Sequence, residues 1–150
     1  MHYSVKDKDN LASVNQWSGG DYNNNTAGLS GTLTAEVSSD YSTNGDKSFK
    51  ITSSGSDYAY CGLFTSSSQF SNGDSVTGSI KILNNSGSSV TLRLLQIEGN
   101  AYQNVTVPSS DTIQTVSVSH TLTADSSVSL RIVSYALITV YVDDICFIKN

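Results

Sequence analysis

Val140-Tyr141-Val142-Asp143-Asp144-Ile145-Cys146-Phe147-Ile148 is the stretch on which the reading of this chain turns. Val140, Val142, Ile145 and Phe147 are the β-branched and aromatic residues of a strand with one buried face. Two adjacent acids inside such a strand cost stability unless something offsets their charge. Either they sit at the strand's solvated end, or at least one of them holds a cation. Side chains alternate along a strand, so with Ile145 and Phe147 inward, Asp143 shares their face and Asp144 points to solvent. Asp143 is therefore the acid expected to need a counter-charge.

Upstream of this strand the sequence repeats one theme. Short strand-like runs fall at 32–38, 48–52, 58–65, 76–83, 90–98, 102–107, 113–122 and 128–135, most of them alternating and 90–98 apolar on both faces, as suits a central strand. Turn signals such as Asn44-Gly45-Asp46, Asn72-Gly73-Asp74 and Asn84–Ser89 separate them. With the closing strand and a short run at Tyr3–Val5 this makes nine or ten strands. No segment carries a helical apolar period long enough for a crossover helix. The pattern predicts an all-β fold, a two-sheet antiparallel β-sandwich of jelly-roll topology. The segment 11–31, with Trp17, Gly19-Gly20-Asp21-Tyr22 and an Asn run, reads as a long loop, and long loops in compact domains are more often functional than idle.

Composition narrows the function. The 150 residues suffice for one domain with a real core. The net charge is −5, and the eight Lys and Arg are scattered, which argues against a nucleic-acid partner. No apolar run is long enough for a membrane helix, so no membrane insertion is expected. Charged residues make up 14% against roughly 25% in an average domain, and Ser, Thr, Asn and Gly replace them, as in many extracellular β proteins. Cys61 and Cys146 have no second pair, which excludes a four-thiolate zinc site and leaves one disulfide or two half-buried thiols. Three Asn-X-Ser/Thr sequons, at Asn24, Asn84 and Asn104, are expected by chance in so Asn- and Ser-rich a chain.

Three segments carry a family resemblance. They are Glu36–Asp40 with Gly45-Asp46-Lys47-Ser48-Phe49-Lys50-Ile51, then 113–122 with Thr123-Ala124-Asp125 and 128–132, and finally Val140–Phe147. Their order and spacing resemble the jelly-roll carbohydrate-binding modules attached to polysaccharide-degrading enzymes. The chain departs from that family where Lys8-Asp9 stands in place of an aromatic–acidic pair, and where Ile113 or Gln114 stands in place of a Trp. The resemblance implies a structural Ca2+ that ties the first strand to the last. It implies Asp143 as a ligand, Asp9 or Asp7 as a second, and backbone carbonyls near Asp46 and Lys47 as further ones. The plain alternative is a salt bridge or an exposed strand end.

Sugars are held by aromatic rings beneath the apolar face of the pyranose, with amides and charged groups on the hydroxyls. Tyr58 and Tyr60 share one face of a strand. Tyr102 follows the strand carrying Arg93 and Gln96, Arg131 and Tyr135 share the outward face of another, and Trp17 lies on the long loop. Any single tyrosine here is more often sheet filler than a sugar platform. Gly73-Asp74-Ser75-Val76 matches an esterase nucleophile block superficially, but its one candidate base, His120, sits mid-strand with no local acid. Glu36 and Glu98 are the only glutamates, and they do not suggest a glycosidase pair.

The expectation is a single non-catalytic module spanning 1–150, monomeric and cut from a larger secreted or surface protein. It binds polysaccharide or oligosaccharide outside the cell or on its surface. The competing reading is a structural or adhesive domain without a sugar site.

Overall fold

A computed structural model describes residues 2–4, 33–41, 48–53, 59–64 and 70–150. Those residues form ten strands: β1 (His2–Ser4), β2 (Leu33–Ser38), β3 (Ser48–Ser53), β4 (Ala59–Phe64), β5 (Ser75–Leu83), β6 (Val90–Gln96), β7 (Tyr102–Val107), β8 (Gln114–Thr121), β9 (Val128–Ser134) and β10 (Thr139–Lys149). None of the described segments is helical. One sheet has the order β2-β3-β10-β5-β8, with β1 also pairing β10, and the other has the order β4-β9-β6-β7. Every pairing is antiparallel. From β5 onward the chain passes repeatedly between the sheets, which gives the predicted sandwich with jelly-roll connections.

The alternation that betrays the strands also builds the core. Along β5 every second residue is buried, with Val76, Gly78, Ile80 and Ile82 turned inward. From the facing sheet Leu92, Leu94, Leu130 and Ile132 are each 0% exposed. Each such side chain contributes about 1.5–3 kcal/mol relative to exposure. Gly78 has no side chain because there is no room for one: a Cβ there would lie 2.9 Å from Leu130 Cδ1. Phe70, outside any strand, is 2% exposed, and its backbone bonds Ser126 in both directions (3.0 and 2.9 Å). It pins the approach to β5 onto the approach to β9.

β10 lies between β5 on one side and, on the other, β3 followed by β1. β3 pairs with 139–142 and β1 with 146–148. The two acids fall in the gap between those partners. Against β5 the register shifts by one residue between Asp143 and Cys146, a β-bulge. Asp144 takes φ +50°, a left-handed conformation that Asp tolerates better than most residues.

The bulge corrects the expected facing of the acids. Val142 and Phe147, five residues apart, are both in the core, which strict alternation forbids. Asp143 is paired across the sheet with Lys81, on the outward side of β5, so it does not share the core face with Phe147. It is nonetheless 0% exposed. Asp144 is not a solvated bystander either: its side chain is only 12% exposed and lies 3.6 Å from Lys81 Nζ.

Candidate functional site on the outer face of the four-stranded sheet

The register of β4-β9-β6-β7 decides which side chains meet. Gly62, Arg131, Arg93 and Asn104 are successive cross-strand partners and form one row across the sheet. The row beside it runs Tyr60, Val133, Thr91 and Thr106, and on the other side Phe64, Ser129, Leu95 and Tyr102. Leu92, Leu94, Leu130 and Ile132 fill the core from this sheet, so the β9, β6 and β7 members of these rows belong to its outer face.

Tyr102 is placed by the β6–β7 turn, where Gly99 (φ +86°) and Asn100 (φ +57°) reverse the chain with consecutive positive φ values. Its ring is 48% exposed, and Arg93 Cζ stands 4.2 Å from the ring centroid. Arg93 Nε donates to Asn104 Oδ1 at 2.9 Å, and Arg131 Nε donates to Ser129 Oγ at 3.2 Å. Both arginines are half-buried while Asn104 is exposed. Ser129 and Val133 are 0% exposed, so this face is not uniformly open to water. It presents an aromatic ring, two guanidiniums with planar donor forks, an amide and hydroxyls.

Three of the eight predicted sugar contacts are therefore together on one face, Arg93, Tyr102 and Arg131, and Tyr60 is in backbone register with Val133 beside them. Tyr135 lies just past the end of β9, 61% exposed, about 13 Å along the strand line from Arg131. Gln96 is elsewhere. It is 1% exposed, and its Oε1 accepts from Thr123 N (2.8 Å) and meets His120 Nε2 (3.1 Å). Its Nε2 donates to Thr123 Oγ1 (3.0 Å) and to the Glu98 carbonyl. Such a saturated buried amide ties the β6–β7 turn to the end of β8 and is not available to a ligand. Tyr58 and Trp17 lie outside the described residues. Asn104 joins the row although the sequence suggested it only as part of a sequon; nothing short of the register links it to Arg93.

The acids form a second cluster. Asp143 Oδ1 accepts from Asp144 N at 2.8 Å. Nearby Tyr41 has its hydroxyl pushed up to about 12, by burial first and then by the negative charges of Asp143 and Asp144. Its Oη and Ser48 Oγ are buried with no hydrogen-bond partner among the described residues. Ser48 opens β3, and Tyr41 stacks edge-on against Tyr141 of β10, with ring centroids 6.0 Å apart. The exposed Lys81 gives Asp144 only a screened pair, worth under about 1 kcal/mol. Two carboxylates and two unsatisfied hydroxyl oxygens are the donor chemistry of a hard cation. The other predicted ligands, Asp7, Asp9, Asp46 and Lys47, lie outside the described residues.

Two further features are set apart from both clusters. The esterase-like block is a turn: Gly73 takes φ +92°, and Asp74 Oδ2 accepts from Ser71 N at 2.9 Å. Ser75 lies on the outward side of β5, whereas the buried His120, paired with Val76, lies on the inward side of β8. They cannot act as nucleophile and base. A pocket of about 400 Å³ opens at one end of the sandwich, beside Asn85 and Leu137, and none of the arginine-row residues lines it.

Solved structures of similar architecture include carbohydrate-binding modules. Two similar solved structures are family 22 modules: the xylan-binding CBM22-1 of Paenibacillus barcinonensis Xyn10C and the C-terminal family 22 module of Clostridium thermocellum Xyn10B. The first has TM-score 0.65 and 12% identity over 99% of this chain and 92% of that one. The second has TM-score 0.66 and 16% identity over 98% and 91%. The enzymatically active domain of bacteriophage CBA120 tailspike protein 4 is also similar, with TM-score 0.64 and 12% identity over 92% of this chain, which spans only 20% of that protein's chain. At these identities the likeness is one of fold. No protein-family model matches the sequence, and the search of curated proteins found no significant match.

Proposed function

We propose that this chain is a non-catalytic polysaccharide-binding module whose ligand lies across the outer face of the four-stranded sheet. The observation that carries the reading is the arginine row: Arg131, Arg93 and Asn104 in register, with Tyr102 under Arg93. A polymer needs a surface long enough for several sugar rings, which a sheet face offers and the pocket near Leu137 does not. Tyr102 supplies the apolar platform. The guanidinium forks and the Asn104 amide bond the hydroxyls, and Tyr60 and Tyr135 extend the contact along the strands. Similarity in fold to a module named as xylan-binding supports a glycan ligand here. The module then directs an attached enzyme or surface protein to glycan, outside the cell. Affinity electrophoresis against a panel of soluble glycans tests the reading: wild-type chain is retarded by at least one, and Tyr102→Ala removes most of the retardation. A chain retarded by none of them would be the structural or adhesive domain instead.

We infer as well that the acid cluster holds a structural Ca2+. Asp143 is the central ligand, Asp9 or Asp7 and the carbonyls near Asp46 and Lys47 complete the set, and Tyr41 and Ser48 border it. When bound, the ion supplies charge neutralisation only. The protein's part is to fix β10 where neither β3 nor β1 flanks it.

A further inference from the structure

The pocket at one end of the sandwich is bordered by two turns that the chain fixes without a ligand. One is 84–88, between β5 and β6. Its centre is Asn84, 0% exposed, whose Nδ2 donates to the Ser88 and Val107 carbonyls (2.9 and 3.2 Å). Its Oδ1 accepts from Ser86 N (3.3 Å) and Ser86 Oγ (2.6 Å). A buried amide satisfied at both ends holds the turn in one shape, and the next residue, Asn85, is left exposed. The other turn joins β9 to β10. Ser134, 1% exposed, accepts from Ala136 N (3.1 Å) and donates to the Ala136 carbonyl (2.9 Å). Ser53 N of β3 donates to the Ile138 carbonyl at 3.0 Å. Leu137, held between these anchors, is 63% exposed.

Thr52 and Thr139 are cross-strand partners where β3 meets β10, and they line the pocket together with Asn85 and Leu137. The described lining residues are all uncharged. Among the described residues no hydrogen bond engages the Asn85 amide or the Thr52 and Thr139 hydroxyls. The amide offers two donors and an acceptor, and each hydroxyl serves as either. Leu137 adds an aliphatic wall. The volume, about 400 Å³, falls within the range of small-ligand sites. Uncharged donors and acceptors beside an aliphatic surface suit a sugar ring, whose hydroxyls need both and whose C–H face needs cover.

From this we propose that the pocket is a second glycan site, which takes a short neutral oligosaccharide or the end of a neutral glycan chain. The Asn85 amide and the Thr52 and Thr139 hydroxyls bond the sugar hydroxyls, and Leu137 covers a ring face. The site shares no residue with the arginine row and does not depend on it. Because both turns are already fixed, little ordering cost is left for the ligand to meet.

The test is an amide NMR titration of the full nitrogen-labelled chain with cellotriose, xylotriose, mannotriose and galactotriose. At least one of them should shift the Asn85 side-chain amide and the Leu137 and Thr139 backbone signals saturably, and should do so equally in Tyr102→Ala. Asn85→Ala, at an exposed position, should weaken that binding about tenfold, as the loss of one ligand hydrogen bond does. Leu137→Ser, which removes the aliphatic wall and none of the anchoring bonds, should weaken it as well. Shifts confined to the strands around Arg93, Tyr102 and Asn104 overturn the end site and leave the sheet-face reading intact. Shifts at the pocket that vanish in Tyr102→Ala also overturn it, since they then report binding on the sheet. Shifts in neither place with any of the four trisaccharides overturn the end site, and the sheet face is then judged by polymer retardation alone.

Discussion

Replacing Asp143 by Asn gives the sharpest test of the acid cluster, because the predicted effect changes sign with the ion. Asn keeps an acceptor oxygen for the Asp144 N–H, which Asp143 Oδ1 now takes at 2.8 Å. It also keeps the shape of a side chain that is 0% exposed. What it removes is one negative charge beside Asp144 and the buried Tyr41. Without calcium the wild type confines two carboxylates in one place, Asp144 lying 3.6 Å from Lys81 Nζ. Asp143→Asn should then be as stable as wild type or up to about 1 kcal/mol more stable, since a desolvated charge is gone. With calcium the order reverses. At a free concentration about a hundred times the dissociation constant, native-state binding adds about 2.7 kcal/mol, which for a domain of this size is roughly 5–10 °C in Tm. The variant should gain little of that. The assay is a thermal melt of both proteins in EDTA and in millimolar CaCl2. A wild-type Tm indifferent to EDTA and CaCl2 refutes the calcium site. A wild-type shift that Asp143→Asn reproduces in full places the ion elsewhere.

Three other outcomes follow from the geometry. Gly78→Val should cost about 1–3 kcal/mol by overpacking against the buried Leu130, seen as a lower urea midpoint with unchanged slope. Gln96→Ala should cost about 2–4 kcal/mol, because Thr123 N, His120 and the Glu98 carbonyl all lose a buried partner. Glycan affinity of whatever folds should be unchanged, whereas a change in affinity alone would return Gln96 to the site. Burial holds the His120 ring below its ordinary 6.5, so the native state keeps it neutral while the unfolded chain takes up a proton. Stability should therefore fall as pH drops from 6.5 toward the lowered native value, and His120→Gln should flatten that segment of a pH–stability curve. A wild-type curve already flat between pH 7 and 5 contradicts this.

The architecture was legible because the physics that makes a sandwich is local and periodic. Val76–Ile82 alternates in sequence and alternates in burial, and so does Val90–Leu94, with Thr91 and Arg93 less buried than Val90, Leu92 and Leu94. Two misreadings have one cause each. Strict alternation puts Asp143 on the face of Phe147, but the strand carries an extra residue, and a bulge leaves no mark in the alternation of a segment rich in β-branched residues on both sides of it. Gln96 was grouped with Arg93 because both lie on one strand; three residues apart they face opposite ways, and the amide turned inward found a buried histidine and a threonine instead. Phe70 was invisible for the opposite reason, being a core residue held by two backbone bonds in a segment with no strand period.

What no single strand records is the row. Arg93 and Arg131 are 38 positions apart, and each alone is an ordinary outward-facing residue of an alternating strand. Only the pairing of β6 with β9 sets them opposite one another, and only the β6–β7 turn adds Tyr102 and Asn104. The closing strand obeys the same logic from the other sheet. Its acids fall between the stretch paired with β3 and the stretch paired with β1 among the described residues. The acids thus gather where the partners of β10 change from β3 to β1, and the arginines gather where β6 meets β9; in both places the grouping is made by pairing between strands distant in sequence and not by any motif within one strand.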